Sequence, residues 1–196
     1  MPIELSLKEQ ELFEKVKAEV ASDQDYRADV QMRFDRALLL IIKFVRLRID
    51  EMRARQPYLA SFSDRADAPK EVALQLDLLA YLSASGSIEI ERSSVSSGRA
   101  DLYIPETGFR FVIEVKRLLD NWDGELESFI AQTAAYQQTD VRLGFLAVLD
   151  LTEREPGTPH FSNCIFTRLR TFPDSDVRRV VVVRVPGNKS TPSQQK

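Results

Sequence analysis

Two acidic residues and one lysine lie close together in the most strand-like part of the sequence, residues 98–117 (GRADLYIPETGFRFVIEVKR). Side chains of a strand alternate between its two faces, so Glu114 and Lys116 share one face. The apolar residues Phe111, Ile113 and Val115 share the other face. Asp101 lies on the preceding predicted strand. If the two strands pair through the turn at residues 105–108, Asp101 comes close to Glu114 and Lys116. The spacing therefore predicts two carboxylates and one ammonium group on a single patch.

Such a patch suits the hydrolysis of a phosphodiester with the help of a metal ion. Unpaired buried charges are costly, and two neighbouring carboxylates repel each other unless one is protonated or a cation lies between them. Mg²⁺ is commonly held by one or two carboxylates together with water and substrate phosphate. The lysine would then lower the pKa of the attacking water or contact the phosphate in the transition state. The residues alone leave a structural interpretation equally open, in which Glu114 and Lys116 form an ion pair and Asp101 caps a turn.

The composition excludes several other classes of function. The chain has 196 residues, a net charge of −3 and a pI near 5.4, so bulk charge does not hold it to nucleic acid. Any such contact needs a local basic surface or bound metal ions. Cys164 is the single cysteine and His160 the single histidine. This leaves no internal disulfide and too few ligands for a zinc site of the usual Cys/His type.

The sequence predicts no membrane or secretory segment. The N-terminus carries charges throughout and lacks the apolar core of a signal peptide. The most apolar run, residues 37–49, is interrupted by Lys43, Arg46 and Arg48 and is too short to cross a bilayer. Because the single cysteine also suits a reducing compartment, we expect a cytoplasmic protein with no membrane partner.

The first third of the chain is predicted to be helical. Residues 5–20 are amphipathic, and residues 30–56 contain neither proline nor glycine. In the second segment apolar residues recur at steps of three and four, which predicts a helix covered on more than one side. This helix either packs in a bundle or docks a partner, which would give a homodimer or a larger complex through the N-terminal helices. We assign residues 1–66 to this N-terminal helical region.

The rest of the chain alternates between strand and helix patterns. A helix is predicted from residue 69 to about residue 82, with Pro69 at its start. The following elements are predicted in this order: strands at residues 87–94, 99–104 and 109–115, a helix at 125–138, a covered strand at 141–151, a short helix at 164–172 and a last strand at 178–185. The order predicts an α/β (α+β) domain at residues 67–185, a mixed β-sheet flanked by helices. The polar residues 186–196 are predicted to be a disordered tail.

An aspartate on one strand, a turn, and an apolar strand that ends in Glu-x-Lys resemble the PD-(D/E)xK nuclease superfamily, which has the restriction-endonuclease-like fold. The matching residues are Asp101 and the EVK segment from Glu114 to Lys116, and the resemblance covers roughly residues 67–185. Ala100 stands where the motif's name has proline. The resemblance implies a restriction-endonuclease-like mixed sheet and a magnesium-dependent nuclease, in which Asp101 and Glu114 bind Mg²⁺ and Mn²⁺ can substitute.

The resemblance also implies site residues on two helices. Many members carry an acidic residue on the helix before the hairpin, and Glu71 matches this position, with Gln75 one turn further along the same helix face. The alternative is that Glu71 is only an acidic residue of the first helical turn, where the helix dipole favours it. Glu91 is an alternative to Glu71 as the additional metal ligand. Many members have a Gln-x-x-x-Tyr pattern after the lysine, which residues Gln132 to Tyr136 match. The alternative is that these two residues are only a pair of neighbours on the helix surface. Glu71 is therefore a candidate catalytic residue and metal ligand, Gln132 is a candidate catalytic residue, and Tyr136 is a candidate nucleic-acid contact.

Nucleic acid is the expected partner, with DNA favoured over RNA. Arg99, Arg110, Lys116 and Arg117 flank the site and are candidate phosphate contacts, which position a substrate without reading its sequence. The resemblance suggests the cutting module of a bacterial restriction or defence system. Two alternatives stay open: a non-catalytic nucleic-acid-binding or assembly protein that retains the fold, and a helical adaptor whose working part is residues 5–56.

Overall fold

The computed structural model describes residues 4–50, 56–86, 89–92 and 101–189 of the chain. In these residues the helices are α1 (Leu7–Val20), α2 (Ala28–Asp50), α3 (Glu71–Ala84) and α4 (Trp122–Tyr136). The strands are β1 (Glu91–Arg92), β2 (Leu102–Glu106), β3 (Phe109–Leu118), β4 (Leu143–Asp150), β5 (Ile165–Thr171) and β6 (Val177–Pro186). Short 3₁₀ turns lie at Pro57–Leu59, Arg65–Asp67, Gln137–Thr139 and Phe161–Asn163.

The strands form one mixed sheet in the order β1-β2-β3-β4-β6-β5. β3, β4 and β6 run parallel to one another, and the other neighbouring pairs are antiparallel. Every residue of β4 is buried, as expected of a strand covered on both sides. This confirms the covered strand predicted at residues 141–151. The protein is therefore a mixed α/β protein, and its described residues form a six-stranded sheet flanked by helices.

Helices cover both faces of the sheet. α1, α2 and α3 pack on one face, where the ring of Phe34 on α2 stacks on Phe145 of β4 with 5.2 Å between their centroids. α4 packs on the other face, where Leu126 and Ile130 meet Val148 and other apolar residues of the sheet. The alternating side chains of each strand are thus divided between two apolar layers.

The N-terminal helices belong to the same core as the sheet. α1 begins with a capping box, in which the side chains of Ser6 and Glu9 each bond the other residue's backbone N–H. The apolar stripe of α2 buries Leu38, Ile42 and Val45 in this core, in agreement with the predicted helical period. Within the described residues, none of the helices combines the length and apolarity needed to traverse a lipid bilayer.

The segment at residues 164–172 is the edge strand β5, and its prediction as a helix is wrong. It pairs with β6 along its whole length, from Ile165 opposite Val183 to Thr171 opposite Val177. A short segment whose apolar residues fit either period takes the structure that satisfies its backbone hydrogen bonds. Here a neighbouring strand supplies those bonds.

The turn between β2 and β3 is tighter than the predicted turn at residues 105–108. Pro105 and Glu106 belong to β2, and two residues, Thr107 and Gly108, connect the strands. Gly108 has a φ of +87°, a conformation that favours glycine because glycine has no Cβ. This short connection sets the register of the β2–β3 hairpin.

Some predictions fall outside the described part of the chain. The residues outside it are 1–3, 51–55, 87–88, 93–100 and 190–196. Half of the strand predicted at residues 87–94 lies there, namely residues 87–88 and 93–94. The start of the next predicted strand and most of the predicted tail also lie there. At the near end of that tail, Asn188 donates a hydrogen bond of 3.1 Å to the carbonyl of Leu151.

Candidate functional site

The β2–β3 hairpin places Asp101, Glu114 and Lys116 together. Its register sets Leu102 opposite Ile113, so one further step of the antiparallel pairing brings Asp101 opposite Glu114. Residues opposite each other in an antiparallel pair share a face. Glu114 and Lys116 lie on the α4 side of the sheet, away from the layer that packs against α1, α2 and α3.

Asp101 is held by the neighbouring strand and by α3. Its carboxylate oxygen Oδ2 accepts a hydrogen bond from the Val115 N–H at 2.8 Å. The buried side chain of Gln75 on α3 donates to the Asp101 carbonyl at 3.3 Å. The other carboxylate oxygen, Oδ1, accepts no hydrogen bond from the residues that the structure describes. Asp101 is therefore fixed in place with one oxygen open to a ligand.

Glu114 and Lys116 form a buried ion pair. Lys116 Nζ lies 2.5 Å from Glu114 Oε1, and the glutamate is 2% exposed. The second oxygen, Oε2, is buried and has no hydrogen-bond partner within the described part of the chain. Leaving a buried polar atom unpaired costs about 1–3 kcal/mol, so such atoms are uncommon. An oxygen of this kind next to Asp101 is suited to binding a cation.

Burial sets the charge states of this pair. It raises the pKa of Glu114 to about 7. The hydrogen bond and positive charge of Lys116 and the nearby backbone N–H of Asp101 oppose this rise, whereas the negative charge of the Asp101 side chain adds to it. Burial alone would lower the pKa of Lys116. The hydrogen bond with Glu114 and the charges of Glu114, Asp101 and Glu71 outweigh it and raise that pKa. Lys116 therefore stays protonated at neutral pH, where Glu114 is only partly ionised.

The raised pKa of Glu114 predicts that the metal-free protein loses stability as the pH rises from about 4.5 to about 7. The unfolded chain releases this proton near the ordinary value of 4.5, whereas the folded chain holds it until about 7. The folded state binds more protons between these values, so the free energy of unfolding falls by about 3 kcal/mol as the pH rises from one to the other. Urea unfolding at several pH values measures this loss in the parent and in Glu114→Gln, which cannot titrate. Identical pH profiles for the two proteins would contradict the raised pKa.

Of the two additional acidic candidates, Glu71 lies nearer to the lysine. It is exposed in the first turn of α3, and its negative charge contributes to the raised pKa of Lys116. Glu91 lies opposite Tyr103 on β1, one strand further from Lys116 than β2. This placement favours Glu71 over Glu91 as the acid that accompanies the lysine.

A metal ion at this patch would rest on two carboxylates. Within the described ranges, no group of three or more His, Cys, Asp or Glu residues is arranged to hold a metal ion. Mg²⁺ usually keeps several waters and is bound through one or two carboxylates together with substrate phosphate. Oδ1 of Asp101 and Oε2 of Glu114, which both lack a donor there, fit this mode of binding.

Gln132 and Tyr136 lie on one face of α4 and bond each other. Gln132 Nε2 donates to the Tyr136 hydroxyl at 2.9 Å, and Gln132 is exposed. Among the residues described, neither side chain forms a hydrogen bond with Asp101, Glu114 or Lys116. The shared helix face agrees with the four-residue spacing, and a role of the pair at the site stays a prediction.

Arg117 lies on the opposite face of β3 from Lys116, because neighbouring residues of a strand alternate. Its Nη1 donates to the carbonyls of Ala68 and Pro69 at 3.4 and 3.3 Å. These bonds tie β3 to the segment that precedes α3. Arg117 thus helps to position α3, and a contact with phosphate stays a prediction. Arg99 lies outside the described residues.

Sequence reasoning gave no role to Tyr103, which lies on the same face as the acidic pair. The guanidinium carbon of Arg110 is 4.3 Å from the centroid of the Tyr103 ring. Strand alternation already indicated that Tyr103 shares a face with Asp101. The stacking of Tyr103 with Arg110 depends on the hairpin register, which the sequence pattern did not determine.

A cavity of about 140 Å³ lies elsewhere in the fold. It is lined by residues 154–159 together with Ile49, Pro186, Asn188 and Lys189. The lining includes none of Asp101, Glu114 and Lys116. The candidate site is thus separate from this cavity and is formed by the face of a hairpin.

Comparisons with protein-family models, with curated proteins and with solved structures found no match for this chain. The fold and the site define a class: a mixed α/β protein whose sheet carries two carboxylates and a lysine on one face. Its function has to be inferred from the chemistry of these side chains.

Proposed function

We propose that this chain is a metal-dependent nuclease that hydrolyses phosphodiester bonds, with DNA as its expected substrate. The observation that carries the proposal is the arrangement of Asp101, Glu114 and Lys116 on one face of the β2–β3 hairpin. Two carboxylate oxygens that lack donors among the described residues lie beside a protonated lysine. This combination suits the joint binding of a divalent cation and a phosphate group.

Each of these side chains has its own part in the proposed reaction. Asp101 and Glu114 would hold Mg²⁺, or Mn²⁺ in its place, through the oxygens that lack donors among the described residues. When bound, the ion neutralises charge on the phosphate and makes a coordinated water more acidic. Lys116 donates a hydrogen bond to a phosphate oxygen and stabilises the negative charge that develops in the transition state. A bound cation would favour the ionised form of Glu114, and its positive charge would offset part of the attraction between this carboxylate and Lys116, which would let the ammonium contact substrate.

The other predicted residues support this centre. Glu71 keeps Lys116 charged and helps to orient it, since its charge already contributes to the raised pKa of the lysine. We assign Gln132 and Tyr136 on α4, together with Arg99, to contacts with the nucleic-acid backbone.

The proposal extends to a restriction-endonuclease-like fold and to the PD-(D/E)xK nuclease superfamily. The order α3-β1-β2-β3-α4-β4 and the mixed sheet support this assignment, as does the aspartate followed by Glu-x-Lys on the next strand. We propose that the chain is the cutting module of a bacterial restriction or defence system. This part of the proposal rests on the resemblance of the motif.

A non-catalytic nucleic-acid-binding or assembly protein is the second candidate, and one observation favours it. Lys116 already neutralises Glu114 within the protein, and no third acid completes a metal-binding group in the described residues. Buried ion pairs that compensate each other also occur in proteins without any catalytic role. Metal binding and cleavage separate the two candidates.

Cleavage of a supercoiled plasmid tests the proposal. We expect the purified protein to nick or linearise the plasmid with Mg²⁺ or Mn²⁺, and to stop when EDTA removes the ion, because the phosphate charge is then no longer neutralised. Gel electrophoresis measures the conversion. Activity that persists in EDTA would remove the metal from the mechanism, and an intact plasmid together with no binding of Mn²⁺ would favour the second candidate.

Asp101→Asn is expected to weaken the binding of Mn²⁺ by about tenfold or more without unfolding the protein. The amide keeps an oxygen that accepts the Val115 N–H, so the hairpin stays intact, but the negative charge is lost. Isothermal titration calorimetry measures the affinity, and thermal melting checks the fold. Asp29→Asn, at an exposed position in the first turn of α2, is the matched control and should bind like the parent. Equal affinity of Asp101→Asn and the parent would exclude Asp101 as a ligand.

A further inference from the structure

Tyr103 and Arg110 form a flat stack on the sheet face that carries the candidate site. The guanidinium carbon of Arg110 lies 4.3 Å from the centroid of the Tyr103 ring. Tyr103 is opposite Val112 in the hairpin, and Val112 shares a face with Glu114 because they are two residues apart on β3. The tyrosine is half-buried and the arginine is exposed, so the stack reaches solvent.

A second contact holds the stack in position. Arg110 Nε donates to Asp140 Oδ2 at 2.7 Å, which fixes the plane of the guanidinium against the ring. The terminal Nη groups of Arg110 have no acceptor among the described residues, and the Tyr103 hydroxyl has no partner there either. An aromatic ring and a planar guanidinium are both groups on which nucleic-acid bases stack. The pair is therefore a preformed platform that keeps free donors.

The platform is close to the proposed catalytic centre. Tyr103 is two residues from Asp101 along the hairpin, a separation of about 7 Å at the usual rise of a strand. An extended nucleotide chain covers this distance with one nucleotide. Glu91 lies opposite Tyr103 on β1, and its negative charge disfavours a phosphate at this end of the face. The ring is thus suited to a base whose phosphate lies nearer to Lys116.

We infer that Tyr103 and Arg110 form a base-stacking subsite for an unpaired nucleotide next to the scissile phosphate. The inference rests on the proposed nuclease function and narrows its substrate to nucleic acid that is single-stranded at the site. A base inside a duplex is covered on both faces by its neighbours and cannot reach a protein ring without leaving the stack. Every base has a flat face, so the subsite accepts all of them without reading sequence.

Binding in EDTA, where the proposed reaction cannot proceed, tests the subsite. The probe is a fluorescein-labelled oligodeoxythymidylate of about 12 nucleotides, and the readout is fluorescence anisotropy. Tyr103→Ala is expected to bind it about tenfold more weakly, which corresponds to the loss of one stacked base. Tyr103→Phe keeps the ring and is expected to match the parent. Arg110→Lys keeps the charge but loses the planar group and is expected to bind a few-fold more weakly.

Arg168 on the edge strand β5 offers a matched control. It is exposed and stacks on Phe166 at 4.7 Å, as Arg110 does on Tyr103, but β4 and β6 separate it from β3. Arg168→Ala is expected to bind the probe like the parent. An oligonucleotide of equal length without bases is expected to bind the parent and Tyr103→Ala equally weakly, since it cannot stack.

The outcomes are distinct. The subsite is overturned by parental affinity in a folded Tyr103→Ala protein, by an equal loss in Arg168→Ala, or by a parent that binds the probe no better than the oligonucleotide without bases. The last comparison needs no variant and stands even if Tyr103→Ala does not fold. Failure of the nuclease proposal has a different signature, in which both the plasmid and a single-stranded oligonucleotide stay uncut with Mg²⁺ while binding that depends on Tyr103 persists.

Discussion

Replacing Lys116 with alanine is expected to lower the rate of metal-dependent plasmid cleavage by about 10²–10³-fold, the usual cost of removing one group that stabilises charge in a transition state. Lys116 is protonated at neutral pH because Glu114, Asp101 and Glu71 raise its pKa. Its ammonium group lies beside the carboxylates that would hold the metal. A charge in this position stabilises a phosphate most when negative charge builds up during bond breaking.

Lys116→Ala is expected to lower the rate of cleavage more than it lowers the affinity for the metal. Removing the lysine leaves both carboxylates in place, so isothermal titration is expected to show that Mn²⁺ still binds. Lys15→Ala, which removes an exposed ammonium from α1, is the matched control and should cleave at the parental rate. Cleavage by Lys116→Ala at the rate of the parent would exclude the lysine from the mechanism. Cleavage that is lost together with the folded state, as seen by circular dichroism, would require Lys116→Arg or Lys116→Gln in its place.

Replacing Asp150 with alanine is expected to lower the free energy of unfolding by about 3–5 kcal/mol, because it leaves two largely buried guanidinium groups without their counter-charge. Asp150 is fully buried at the end of β4, where Oδ2 accepts from Arg184 Nε at 2.6 Å and lies 3.1 Å from Arg154 Nη1. Oδ1 accepts from the backbone N–H and the hydroxyl of Thr152 at 3.0 and 2.7 Å. Arg184 also stacks on Trp122 at 3.9 Å, which links this network to α4.

Asp120→Ala is the control for this prediction. Asp120 forms an ion pair of 2.6 Å with Arg65, but the two side chains are 57% and 66% exposed. Exposed pairs contribute little, so the free energy of unfolding should change by less than about 1 kcal/mol. Urea denaturation monitored by circular dichroism compares both variants with the parent. A similar small loss in both would show that the Asp150 network adds nothing to stability beyond an ordinary surface pair.

Regular periodicity made several elements predictable from sequence. The apolar stripe of α2 and the continuous apolar run of β4 lie where the pattern places them, since the residues buried in the core are those of the predicted period. The alternation along β3 also predicts that Glu114 and Lys116 share a face. A period of two is a property of a single strand and needs no knowledge of its neighbours.

Features that depend on neighbours were harder to predict. Residues 164–172 became a strand because β6 offers them a partner along their whole length. Arg117 is next to Lys116 in sequence, yet it donates to the carbonyls of Ala68 and Pro69 on the other side of the sheet. Proximity along the chain was therefore a poor guide to which arginine reaches the candidate site.

By itself the sequence determined which chemical groups this hairpin carries and on which face of its strand each one lies, because both follow from residue type and local geometry. Only the tertiary structure decided that Glu114 is buried with one oxygen unpaired among the described residues, and that its pKa is raised. It also decided that Gln75 and the Val115 N–H hold Asp101 beside this glutamate. Burial and pairing arise from contacts between residues far apart in the chain. A local sequence pattern does not show which side chains such contacts shield from solvent, nor which charges they bring together.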